Sequence, residues 1–222
     1  YKPVLGWNGI FDGIVEMRDS DIYESPSNHR MHWFGHLVYL DAKEPRHAVE
    51  ITSRDILHKA PLHQAVWQYI MDFGAHDIAA LFSYIDANLC YFRNEPNMGN
   101  IYISCAHGVG HGLAGLFGTQ FISDGLDICG FSSDGQFQYA CSSGMYMTLV
   151  KEYPDDGIAP CDNRFPATCY QFRKHYFRDK EDPCAVIEDP YFHVGCVWGQ
   201  YSNLKTPLKK ILSLCKPLQP KH

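Results

Sequence analysis

The stretch Cys105-Ala106-His107-Gly108-Val109-Gly110-His111-Gly112-Leu113-Ala114-Gly115-Leu116-Phe117-Gly118 sets two histidines four residues apart. In a helix, residues at that spacing share one face, with Cβ atoms about 5–6 Å apart. Both imidazoles can then reach one metal ion, as in other helical H-x-x-x-H pairs. Each glycine costs a helix roughly 1 kcal/mol relative to Ala. Something must offset that cost, and close approach of another helix or of a ligand is the natural candidate.

The arrangement occurs twice. His32-Trp33-Phe34-Gly35-His36 and His107-Gly108-Val109-Gly110-His111 both read H-x-x-G-H, 75 residues apart. The glycine before the second histidine clears a side chain from the helix surface. Two such helices are expected to approach closely, as small residues permit, and to set His32, His36, His107 and His111 face to face. Four nitrogens suit zinc or copper. The set lacks the Glu-x-x-His carboxylates of di-iron bundles; acids such as Asp72 or Asp77 would have to supply them. His29 and His63 are weaker candidates, His193 among its aromatic neighbours reads as structural, and His175 as solvent-facing. The plainer reading makes these imidazoles core residues, each satisfied by a backbone carbonyl.

Cysteine spacing gives the surrounding organisation. Nine cysteines fall at 90, 105, 129, 141, 161, 169, 184, 196 and 215. No C-x-x-C occurs, which argues against a zinc ribbon or a thioredoxin-like site. Short apolar segments end in Cys90, Cys129 and Cys215, and after a turn-rich gap another cysteine opens the next helix. Three openings read C-x-x-G, at Cys105–Gly108, Cys141–Gly144 and Cys196–Gly199; Cys169-Tyr170-Gln171-Phe172 lacks the glycine. The starts are 36, 28 and 27 residues apart, a period that suggests stacked repeats, each a helical hairpin. The H-x-x-G-H pair, about two units apart, would then be equivalent elements of a duplication. Arg30 stands where Cys105 stands, so the first copy lacks the bridge.

The simplest pairing joins neighbours: Cys90 with Cys105, Cys129 with Cys141, Cys161 with Cys169, and Cys184 with Cys196. Connectivity does not follow from sequence alone; this pairing rests on the repeat. Each bridge closes a short loop and stabilises by about 2–3 kcal/mol. Cys215 is left over, as a free thiol, a covalent link to a partner chain, or half of a bridge lost by truncation.

Helices are expected from Ser27 or Asn28 through Leu40, with Pro45 blocking continuation; from Pro61 through Met71, stopped by Gly74; and from an Asp77 cap through Leu89. Asn100–Ser104 is the best short strand candidate, or a lead into the helix at Cys105. The fold class is therefore mainly α: stacked helical hairpins, solenoid-like or an irregular α/α array, cross-linked by short-range disulfides. Residues 1–28 read as an irregular arm, 29–216 as one helical domain and 217–222 as a tail.

The totals bound the function. The chain of 222 residues is 45% hydrophobic and 14% aromatic with a net charge of −6, enough apolar surface for a packed core. The acidic balance argues against nucleic acid and an anionic membrane surface. No apolar run approaches the ~20 residues of a spanning helix. The regular cysteine spacing suggests disulfides and an oxidising compartment, extracellular or periplasmic, the alternative being nine reduced, buried thiols in a cytosolic protein. Tyr1 at the start fits a signal peptide already removed. Met145-Tyr146-Met147 offers thioethers to Cu(I), although core packing is the simpler use. Ser133-Asp134-Gly135 and Asp155-Asp156-Gly157 are turns without the D-x-D-x-D-G pattern of a calcium loop. No G-x-S-x-G, Walker loop, dinucleotide fingerprint or H-E-x-x-H appears.

From Cys105 to Gly112, then through the spaced cysteines and Gly144-Met145-Tyr146-Met147, the chain resembles a group of secreted proteins. They carry a C-x-H-G-x-G-H-G type motif followed by helical, cysteine-paired repeats. The likeness covers roughly residues 100–200 and implies an extracellular helical domain, with no activity to carry over.

Two functions fit these features. One is a secreted metal-binding domain whose zinc or copper would activate water or oxygen if it is an enzyme. The other is a structural, self-assembling protein, a homo-oligomer or covalent assembly through Cys215, whose histidines are core residues or a structural metal site.

Overall fold

The computed structural model describes residues 6–7, 9–13, 28–53, 59–74, 77–93, 95–96, 98–153, 159–173, 184, 193 and 197. These residues are mainly helical, with no strand among them. The helices are α1 (Asn28–Asp41), α2 (Pro45–Thr52), α3 (Ala60–Phe73), α4 (Ile78–Tyr84), α5 (Gly99–Phe117), α6 (Ile122–Phe131), α7 (Gly135–Leu149) and α8 (Pro166–Arg173). A π-helical turn, Ile85–Leu89, extends α4, and a 3-10 turn, Val150–Glu152, extends α7.

Local chemistry sets most boundaries. Asp77 caps α4 by accepting from the Ala80 amide at 3.0 Å, and Asp134 caps α7 through the Gln136 amide at 2.9 Å, each satisfying an orphan N–H of the first turn. Gly74 and Gly118 close α3 and α5 with φ of 77° and 56°, which a residue without Cβ adopts freely. Pro45 does end α1, as expected, but it also begins α2, where its missing N–H costs nothing. Asn100–Ser104 is helical: α5 starts at Gly99. Cys105 and Cys141 therefore lie past the first turn of α5 and α7 and do not open them.

Four helices, α1, α3, α5 and α7, form a row in which each packs chiefly on its neighbours. Contacts climb adjacent helices together. His32 meets His63 and Tyr39 meets Tyr69; His107 meets Ser143 and His111 meets Thr148. The row is therefore parallel. The connecting helices α2, α4 and α6 return the chain from one member to the next, and α8 packs beyond on α7. This is the expected array of stacked hairpins.

Glycines make the row tight. A Cβ at Gly110 would collide with the Cys141 carbonyl oxygen, and one at Gly144 with that of His107. A Cβ at Gly35 would collide with the Pro61 carbonyl oxygen. The matching glycines of the two H-x-x-G-H motifs thus do the same work, each seating its helix on the next in the row. They do not seat α1 against α5, as the sequence suggested. Helix α3 comes between.

Three bridges join Cys90 to Cys105, Cys129 to Cys141 and Cys161 to Cys169, with Cα–Cα distances of 5.7, 5.5 and 5.3 Å. Two of them tie the end of an outer helix to the next member of the row. Cys184 is buried and disulfide-bonded; Cys196 and Cys215 lie outside the described residues. Of the N-terminal arm, residues 9–13 make a helical turn. Its Phe11 is buried against Phe34 at 6.2 Å between ring centroids, and Trp7 donates to Asp41 at 2.9 Å. No helix among the described residues is long and apolar enough to cross a membrane.

Candidate metal centre

The insertion of α3 between α1 and α5 determines which histidines meet. Gly108 lets α3 come so near that a Cβ there would lie 2.9 Å from the Cα of His63. The His63 imidazole is thereby set against those of α5, its ring centroid 5.0 Å from His107 and 6.1 Å from His111. The His107 and His111 rings stand 4.7 Å apart, edge to face. One ligand nitrogen from each of His63, His107 and His111 lies within 4.8 Å of the other two. Such a cluster could hold a metal ion. Nitrogens bound at about 2.0–2.1 Å to a tetrahedral ion stand about 3.3–3.4 Å apart, so nitrogens 4.8 Å apart need close by about 1.4–1.5 Å.

The other side of α5 fixes the rings. Nδ1 of His107 is 2.9 Å from the Ser143 hydroxyl, and Nδ1 of His111 is 2.7 Å from the Thr148 hydroxyl. Thr148 also donates to the Gly144 carbonyl at 3.1 Å. A threonine hydroxyl has one proton, so both bonds are satisfied only if His111 donates from Nδ1. Its Nε2 then carries the lone pair. Outer hydroxyls of this kind set the tautomer and aim of metal-binding histidines. Trp67, one turn beyond His63, stacks on His111 at 5.9 Å and 19° and walls the site.

Nε2 of His63 is buried and has no hydrogen-bond partner, an arrangement that costs on the order of 1–3 kcal/mol unless something binds there. Burial holds all three imidazoles neutral. It pushes His63 down to about 2, with His107, His111 and His32 adding repulsion. It pushes His111 down to about 3, with His107 and His32 adding to it. It pushes His107 down to about 4, partly offset by the Ala140 carbonyl. Neutral imidazole is the form that binds metal.

Of the four histidines expected from the motif, His107 and His111 belong to this group. His32 faces it from α1, its ring 6.3 Å from that of His63. His36 points along the row instead and stacks on Tyr39 at 6.0 Å. His63, a weaker candidate by sequence, stands at the centre. Its signal was the apolar stripe it continues with Val66 and Ile70, both buried on α3. Ser143, Thr148 and Trp67 carried no motif that marks them. Among the other candidates, Asp72 accepts from the Tyr39 hydroxyl, and Asp134 pairs with Arg93 at 3.1 Å. Met145 is core, and Nδ1 of His193 meets the Cys184 carbonyl at 3.1 Å. The side chain of His29, and His175 with Asp155–Gly157, lie outside the described residues.

No family model, curated protein or solved structure matches the chain, so its function is read from its own residues.

Proposed function

We propose that this protein is a secreted metal-binding domain in which His63, His107 and His111 hold one zinc or copper ion. The observation that carries the reading is the buried, unpartnered Nε2 of His63 beside two imidazoles of α5. An all-nitrogen set suits zinc and copper and is poor for magnesium or calcium, which prefer oxygen. Ser143 and Thr148 orient the α5 pair, and His32 stands at the edge as an outer imidazole. His36 serves the Tyr39 packing at the far end of α1. The disulfides suit an oxidising compartment, extracellular or periplasmic. If the centre is catalytic, its ion would activate water or oxygen. Elemental analysis of protein purified without added metal tests the reading: near one equivalent of zinc or copper is expected, reduced strongly in His107→Ala. Less than about a tenth of an equivalent in the unaltered protein contradicts it, given how tightly buried sites retain such ions.

A second reading, self-assembly, draws on α1 at the end of the row. Trp33 and Leu40, seven residues apart on one face, are 64% and 65% exposed. Large apolar side chains exposed together mark association surfaces. Sedimentation across a concentration series separates the readings: assembly abolished by Trp33→Ser would favour a subunit that polymerises with its own copies.

A further inference from the structure

The donor set has a charge problem. Imidazoles bind metal as neutral ligands, and no Cys, Asp or Glu joins His63, His107 and His111 among the described residues. Among the described residues, the titratable groups that act on the three rings are one another and His32. Three neutral imidazoles leave both charges of a divalent ion unmatched beside Trp67 and α7; uncompensated buried charge is strongly unfavourable, and one bound anion would halve it. The three nitrogens also supply three of the four ligands of a tetrahedral ion. His32 stands next to this group, its ring 6.3 Å from that of His63.

Both needs have one solution. Building on the metal reading above, we propose that a divalent ion at His63, His107 and His111 takes a small inorganic anion as its fourth ligand, in an exchangeable position. Hydroxide meets the requirement when bound water gives its proton to solvent, which a metal promotes near neutral pH. A monovalent anion such as thiocyanate or azide meets it by displacing that water or hydroxide. The exchange forms one metal–anion bond, breaks one metal–oxygen bond and changes no oxidation state. The site is thus a receptor for small anions, and any substrate it takes enters as an anion or meets a bound hydroxide.

Cobalt(II) tests this, because its visible bands report the ligands of a tetrahedral site. One equivalent of cobalt(II) is added to the metal-free protein, and the bands are followed during titration with thiocyanate and then azide. The expected result is a saturable spectral change in the unaltered protein and the same change in His32→Ala. Bands that appear with cobalt but move with neither anion overturn the proposal while leaving the metal reading intact. A response confined to His32→Ala also overturns it, by making His32 the fourth ligand. If cobalt produces no bands at all, the metal reading fails and the anion proposal falls with it. The unaltered protein decides the matter even if His32→Ala does not fold.

Discussion

Thr148 Oγ1 lies 2.7 Å from Nδ1 of His111 while it gives its one proton to the Gly144 carbonyl at 3.1 Å. That pair of bonds fixes the imidazole with Nε2 turned to the site. Thr148→Val keeps the shape and removes both bonds, so metal affinity should fall about 10–100-fold, with Thr148→Ser restoring most of it. A structural role alone would lower stability without this split; nitrogen chemical shifts of His111 would show the tautomer directly. Unchanged affinity in Thr148→Val would contradict the assignment.

The helix row predicts a sharp contrast among glycines. Gly110→Ala puts a methyl group into the Cys141 carbonyl, and Gly144→Ala puts one into that of His107. Each should cost about 1–3 kcal/mol, the range for overpacking a close-packed core. At Gly99 and Gly135 an added methyl group would meet nothing within 4 Å, so Ala there should be neutral or stabilise by up to about 1 kcal/mol. Urea unfolding of the four variants checks the ranking, and equal effects would contradict it.

These glycines show how far the sequence reads. The H-x-x-G-H repeat, the Asp77 cap, the Gly74 stop and the pairings Cys90–Cys105, Cys129–Cys141 and Cys161–Cys169 were legible because each depends on local spacing. The identity of the facing helix was not. Gly35 and Gly110 do permit close approach, but a glycine declares only that something comes near. That Pro61 lies over Gly35 and Cys141 over Gly110 follows from the order of the row, a tertiary fact. It moves His36 to Tyr39 and brings His63 into the cluster. Second-layer hydroxyls such as Ser143 and Thr148 are invisible for the same reason.

Acid should unfold the metal-free protein early. His63, His107 and His111 are held at about 2, 4 and 3 when folded, below the ordinary value of about 6.5. The unfolded chain therefore takes up protons first as pH falls through about 6.5, and each histidine lowers stability by about 1.4 kcal/mol per pH unit until its folded value is reached. The contribution is intact above that pH and lost below it. Denaturant midpoints measured from pH 7.5 to 4.5 should drop steeply, and His63→Gln should flatten the slope. A flat profile in the unaltered protein would contradict the burial of neutral imidazoles.

The Cys129–Cys141 bridge closes a 12-residue separation and anchors α7 two residues before Ser143. Replacing both cysteines by serine should lower stability by about 3 kcal/mol and weaken metal binding through loss of the Ser143 and Thr148 positions. Thermal unfolding and a zinc titration on one sample check both effects. Metal affinity unaltered in a destabilised variant would separate the bridge from the site.

The most direct test of the account is calorimetric titration of zinc into the metal-free protein beside its His63→Ala and His36→Ala variants. The predicted result is one tight site in the unaltered protein, retained in His36→Ala and lost in His63→Ala. Binding that survives in His63→Ala but disappears in His36→Ala would contradict it.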